Sequence, residues 1–207
     1  MILSACQTHP NTPAITEDEP AISTTNQPPA NDREPADMSS ATANADGSPI
    51  IFDPWEAGRN LPDPCRELPN ELLQKIGFTG KPYRLTHGLN DELPGKGITC
   101  DLDLADNYDG YRTSAIYTDT LSREYLEKQG LIIGDAPESI VPNSYYYTFS
   151  PSHPSVCYIG TSTHRGRISL NMAGRTDWPQ EKACQEARKY FDKFYIETSE
   201  FSWIKGN

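Results

Sequence analysis

All 20 aromatic residues of this chain lie at or beyond Phe52, and that asymmetry decides where a hydrophobic core can form. From Gln7 to Pro49 there are seven prolines, no aromatic side chain, and only Ile15, Ile22 and Met38 as large aliphatics. The same 43 residues hold seven acids and a single base, Arg33, so they carry −6 of the chain's net −11. A segment of that composition cannot bury enough apolar surface to offset the entropy of ordering it. Residues 7–49 are therefore expected to form a disordered Pro/Ser/Thr/acid-rich linker, with an r.m.s. span of about 35–40 Å in the coil regime. Residues 50–207 hold 22 acids against 17 bases and are expected to form a single disulfide-braced domain.

Charge and hydropathy exclude two classes. Nucleic acid and anionic membrane surfaces draw most of their protein affinity from basic patches, and this chain has a pI near 4.8. No stretch approaches the ~20 consecutive apolar residues of a transmembrane helix.

The five cysteines divide into one and four. Leu3-Ser4-Ala5-Cys6 matches the lipobox of bacterial lipoproteins, in which small residues let the chain enter the signal peptidase extended and the cysteine thiol receives diacylglycerol. Residues 1–6 thus read as the remnant of a lipoprotein signal peptide, with Cys6 as the lipidation site. Only Met1-Ile2 precede the box, whereas a secretory signal needs a basic region and ~7–15 apolar residues. Either translation starts upstream or the box is fortuitous and the chain is not exported; the first is the expectation. Cys65, Cys100, Cys157 and Cys184 form no CxxC pair, which argues against ribbon-type zinc and thioredoxin-like redox chemistry. In an exported domain they read as two disulfides, with three possible connectivities. Cys65–Cys100 and Cys157–Cys184 are favoured because each ties a helix to a strand nearby in sequence.

Local patterns predict helices over 69–76, 121–129 and about 179–194, the last with Ala183, Ala187, Tyr190, Phe191 and Phe194 at helical spacing. Pro69 and Pro179 are expected at the first helical position, and Asp119 or Thr120 as the cap of the middle helix. Strands are predicted over 98–104, 111–118, 144–149, 156–161 and 167–172, with a hairpin across His164-Arg165-Gly166. The order α-β-β-α-β-β-β-α points to an α+β fold, an antiparallel β-sheet with helices packed on it.

Asp63-Pro64-Cys65-Arg66-Glu67-Leu68-Pro69, followed by Leu72-Leu73 and Ile76-Gly77-Phe78, resembles the opening of an actinobacterial cell-envelope lipoprotein family, domain of unknown function 3558. The family's lipobox, tether and Asp-Pro-Cys before an amphipathic helix all have counterparts here. Cys100, Cys157 and the Ala183-Cys184…Ala187 helix continue the likeness over residues 52–195. This chain departs from the pattern in placing Trp55 after Phe52-Asp53-Pro54, with Asp-Pro-Cys ten residues later. The resemblance implies an envelope address and an architecture but no activity.

His9, His87, His153 and His164 fall in no HExxH or GxSxG context and read as surface residues. His164 with Arg165 and Arg167 would make a small basic tip open to an anion. Asp101, Asp103, Asp106 and Asp109 are the densest carboxylates, yet Ala105 and Asp106 break the EF-hand pattern, so a solvated strand and turn is expected over a calcium loop. Tyr145-Tyr146-Tyr147, Phe149 and Tyr158 concentrate the aromatic residues. Alternation sends about half outward, where a stripe could bind glycan or a partner protein, but core packing and cross-strand pairing are expected to account for most of the group. No catalytic, cofactor-binding or metal residue is expected. The expected function is a lipid-anchored envelope lipoprotein on the outer face of the membrane, a non-catalytic binding or accessory module. Its expected partners are the membrane through Cys6, and envelope proteins, glycans or lipids. The alternatives are a secreted hydrolase with a loop-built site and a structural wall component.

Overall fold

The computed structural model describes residues 42–88, 96–107 and 112–204. Ala43 bridges Pro49 across a turn held by the Asn44 and Asp46 side chains, and Thr42 is buried. All described residues belong to one compact unit. Cys6, His9, linker positions 7–41 and Asp109 lie outside the described residues.

Three short helices follow. In α1 (Pro54–Arg59) the Asp53 carboxylate accepts from the backbone N–H of Trp55 at 2.7 Å, satisfying a donor that the first turn leaves free. Helix α2 (Pro64–Glu67) carries Cys65, and α3 (Asn70–Ile76) stops at Gly77, whose φ of 116° only glycine adopts without strain. Pro69 occupies the N-cap position of α3, one residue earlier than expected.

The strands are β1 (Phe78–His87), β2 (Gly97–Leu104), β3 (Thr113–Asp119), β4 (Ile132–Asp135), β5 (Tyr145–Tyr147), β6 (Val156–Thr163) and β7 (Gly166–Ala173). Helix α4 (Arg123–Lys128) lies between β3 and β4, and α5 (Gln180–Glu197) follows β7. The strands form one sheet in the order β1-β2-β3-β7-β6-β5-β4, with every pair antiparallel. Two meanders, β1–β3 and β4–β7, thus meet at the central β3–β7 pair. The α+β class with an antiparallel sheet is as expected from the sequence. The element order is richer by two strands, β1 and β4, and by the short helices α1 and α2. Ser122, rather than Asp119 or Thr120, caps α4, its hydroxyl accepting from the Tyr125 N–H.

One sheet face packs under α5 and α3. Cys100, Leu102, Leu104, Ile116, Cys157, Ile159, Ile168, Leu170 and Met172 meet Leu73, Ile76, Tyr190, Phe191 and Phe194 there. Ala183 and Ala187 let the helix approach the sheet closely, and the chain after α5 returns to bury Phe201 and Ile204 in the same cluster. Burial of each large apolar side chain is worth about 1.5–3 kcal/mol. Both disulfides reach into this layer: Cys65–Cys100 joins α2 to β2 and Cys157–Cys184 joins β6 to α5, with Cα separations of 5.4 and 5.0 Å.

Among the described residues, a helix covers the opposite face at one end. Leu126 of α4 packs on Tyr145 and Tyr147, with Leu121, Leu131, Ile132 and Tyr158 around them. Beyond Tyr158, toward β1, no helix among the described residues covers the face.

Candidate binding groove on the open sheet face

Antiparallel register places directly opposed residues on the same face of a sheet. One such row crosses five strands: Tyr83 opposes Asp101, Asp101 opposes Ala115, Ala115 opposes Asn171, and Asn171 opposes Tyr158. Ala115 is the small member at the centre, so the row dips between two aromatic residues. The result is a groove of about 360 Å³ lined by Lys81, Tyr83, Asp101, Asp103, Arg112 and Tyr117, with Thr113 and Asn171 among the other walls. That volume falls at the small end of the ~300–1,000 Å³ typical of ligand sites.

Each wall has a local cause. The β1 backbone shifts register between Thr79 and Tyr83, where Gly80 takes a φ of 75° and Pro82 donates no ladder hydrogen bond. The bulge carries Lys81 and Tyr83 to the rim, and Tyr83 is 64% exposed. Asp101 and Asp103 alternate with buried Leu102 and Leu104 along β2. Partial burial raises the Asp101 carboxyl above its ordinary range, against the opposing pull of His87. The Asn171 Oδ1 accepts from the Ala115 N–H at 2.7 Å, which leaves its amide nitrogen to donate toward Tyr158. Burial, then the charge and hydrogen bond of Tyr158, push the Tyr117 hydroxyl far above its ordinary value. The Tyr117 and Tyr158 rings meet edge to face with centroids 5.4 Å apart.

Arg112 anchors one end. It donates to both the backbone oxygen and the carboxylate of Asp106, and its Nη1 lies 3.7 Å from Glu186. Tyr190 donates to the same Asp106 carboxylate at 2.8 Å. Desolvation works against charge on Asp106, but the Tyr190 and Arg112 hydrogen bonds outweigh it and hold its pKa below the ordinary value.

Several sequence expectations need correction here. The basic tip does not exist. Arg167 is 0% exposed and makes a two-pronged ion pair with Asp119, Nε to Oδ1 at 3.1 Å and Nη2 to Oδ2 at 2.5 Å. Its guanidinium lies 4.3 Å from the centre of the Tyr147 ring. Arg165 turns inward as well, donating to the backbone oxygens of Asn60 and Ile204. Both arginines serve the fold, since the Asn60 end of α1, β3 and Ile204 after α5 all converge on this hairpin. The tyrosine triplet packs inside, as expected for most of that group, and forms no outward stripe: Tyr145, Tyr146 and Tyr147 are all buried, because α4 covers one face and the α5 layer the other. Phe149 alone of that group is well exposed.

The remaining candidates separate. His153 sits in an exposed turn, and His164 is half-buried at the hairpin. The His87 Nε2 lies 2.9 Å from the Thr99 Oγ1, an imidazole–hydroxyl pair that local motifs did not reveal. Thr99 is only 2% exposed, so its oxygen has no open approach for a substrate carbonyl. Asp101 and Asp103 face the groove while Asp106 is engaged by Arg112 and Tyr190. Among the described residues, no three His, Cys, Asp or Glu side chains gather where a cation could sit. Sequence reading missed Lys81, Tyr83, Arg112, Tyr117 and Asn171, which lie on three separate stretches, β1, β3 with the residue before it, and β7, and meet only through register. No family model, curated protein or solved structure matches the chain.

Proposed function

We propose that this chain is a lipid-anchored cell-envelope lipoprotein whose domain is a non-catalytic binding or accessory module, meeting its ligand at the open-face groove. The observation that carries the reading is the pair of disulfides, Cys65–Cys100 and Cys157–Cys184. Such bonds persist in oxidising compartments, so they fit a secreted or envelope-associated protein. No helix among the described residues is long and apolar enough to cross a membrane. The Leu3-Ser4-Ala5-Cys6 box supplies the attachment chemistry in this reading. A thioether-linked diacylglycerol plus an N-terminal acyl chain holds far more firmly than one myristoyl group. The groove supports a binding role because its walls mix aromatic planes with polar side chains, including the Asp101 carboxylate, which accepts no hydrogen bond among the described residues. The buried Thr99 weakens the hydrolase alternative.

Cell fractionation tests the reading. The chain expressed in its native host should sediment with membranes, and Cys6→Ala should move it to the soluble fraction. A chain found in the cytosol, with Cys6→Ala distributed like the parent, refutes it.

A further inference from the structure

The walls of the groove constrain the charge of what enters it. Lys81 and Arg112 disfavour a cation, and Asp101 and Asp103 disfavour an anion, all four lining one space. The arginine is already spent on Asp106 and Glu186, and among the described residues the Asp101 carboxylate accepts no hydrogen bond. Raised by burial, that carboxylate gains from any ligand hydroxyl that reaches it. Asn171 and Tyr117 add an amide and a phenol on the same floor. Successive strands are about 4.8 Å apart, so the Asp101 and Asn171 backbones, two strands apart, stand roughly 10 Å from one another across Ala115. That gap suits a flat ring bearing hydroxyls at both edges. Tyr83 then offers an exposed aromatic plane at the end of the row, adjacent to Asp101. An apolar ligand finds little here, since most of the lining side chains are polar or charged.

We propose that the groove takes a neutral, polyhydroxylated ligand, a short glycan segment, with Tyr83 stacking on a sugar face and Asp101 and Asn171 hydrogen-bonding its hydroxyls. This rests on the reading of the domain as a binding module, and deepens it by naming the ligand class. Stacking pairs aromatic rings with the C–H faces of sugars without charge, while paired acceptor and donor groups fix orientation.

The test is a two-dimensional NMR titration of the 207-residue chain, both disulfides formed, with uncharged tetrasaccharides of glucose, galactose and N-acetylglucosamine. Choline and inorganic phosphate serve as charged probes. A saccharide should shift the amides of Tyr83, Asp101, Ala115 and Asn171 in preference to those of α5. Tyr83→Ala should weaken binding about tenfold while Tyr83→Phe keeps it. Asp101→Ala should also weaken it about tenfold, whereas Asp101→Asn, which keeps an acceptor and loses the charge, should stay within about threefold. These side chains are at the surface, and an unchanged amide pattern elsewhere verifies each variant's fold. If choline or phosphate shifts the groove and no saccharide does, the ligand class is overturned while the module reading stands. If no probe perturbs the groove, the proposal fails. Failure of the module reading shows separately, as cytosolic chain in the Cys6→Ala fractionation.

Discussion

Replacing Asp119 by alanine removes the carboxylate that neutralises Arg167 and leaves the guanidinium in place at 0% exposure. Two of its donors, Nε and Nη2, lose their acceptor together, and Nη1 has no hydrogen-bond partner among the described residues. What remains is the Tyr147 face 4.3 Å away, a cation–π contact worth roughly 0.5–2 kcal/mol. Burial works against charge on Arg167, yet Asp119, with smaller help from Tyr147 and Tyr145, keeps it protonated, so shedding the proton offers no escape in the parent. Breaking a buried pair by removing one partner typically costs about 3–5 kcal/mol, and Asp119→Ala is expected in that range. The Leu121 N–H also loses the Asp119 acceptor, which adds to the loss. Urea denaturation followed by circular dichroism reads the change as a lower midpoint at unchanged slope. The Arg167→Met, Asp119→Ala double variant should recover most of the loss, because a buried pair replaced by packed apolar atoms is often neutral. A loss below about 1 kcal/mol in the single variant, or no recovery in the double, refutes the reading of a desolvated charge held by one partner.

Three further outcomes are expected. Replacing Cys157 and Cys184 by alanine opens a loop with a sequence separation of 27, for which chain entropy predicts about 3.6 kcal/mol; unfolding midpoints before and after substitution measure it. Opening Cys65–Cys100, with a separation of 35, should cost slightly more, about 3.8 kcal/mol by the same argument. Asp106 carries a pH signature. Its folded pKa lies below the unfolded value of 3.8, so its contribution is fully present above that pH and lost as pH falls through the folded pKa. Urea midpoints taken from about pH 5 to pH 2 should therefore fall less steeply in Asp106→Asn than in the parent; identical slopes contradict the hydrogen-bond account.

What the sequence shows and hides follows one physical line. Helix α5 was legible because its apolar residues recur at 3.6-residue spacing and all point to one layer. The β6–β7 hairpin and the alternation of Asp101 and Asp103 with Leu102 and Leu104 were legible because period two is a strand's own signature. The two strands that escaped reading, β1 and β4, are the edges of the sheet. Edge strands carry features that blunt pairing with other chains, and these read as turns: Gly80 and Pro82 in β1, Gly134 within four residues of β4. Alternation alone divides the tyrosine triplet between two faces, while its burial depends on what covers each face, here α4 on one side and the α5 layer on the other. Arg167 reads as a surface residue until Asp119, 48 positions away, comes opposite it in the β3–β7 register. The groove was hidden for the same reason. Its members share no motif, and only five-strand register places Tyr83, Asp101, Ala115, Asn171 and Tyr158 in one row.

Lipidation and disulfide formation both report on the compartment, and intact-mass spectrometry of the protein extracted from native membranes reads them together. Alkylation under non-reducing conditions should leave Cys65, Cys100, Cys157 and Cys184 unlabelled, and the N-terminal peptide should carry a diacylglyceryl thioether on Cys6. An unmodified Cys6 together with four alkylated cysteines in the domain would place the chain in a reducing compartment and contradict the account.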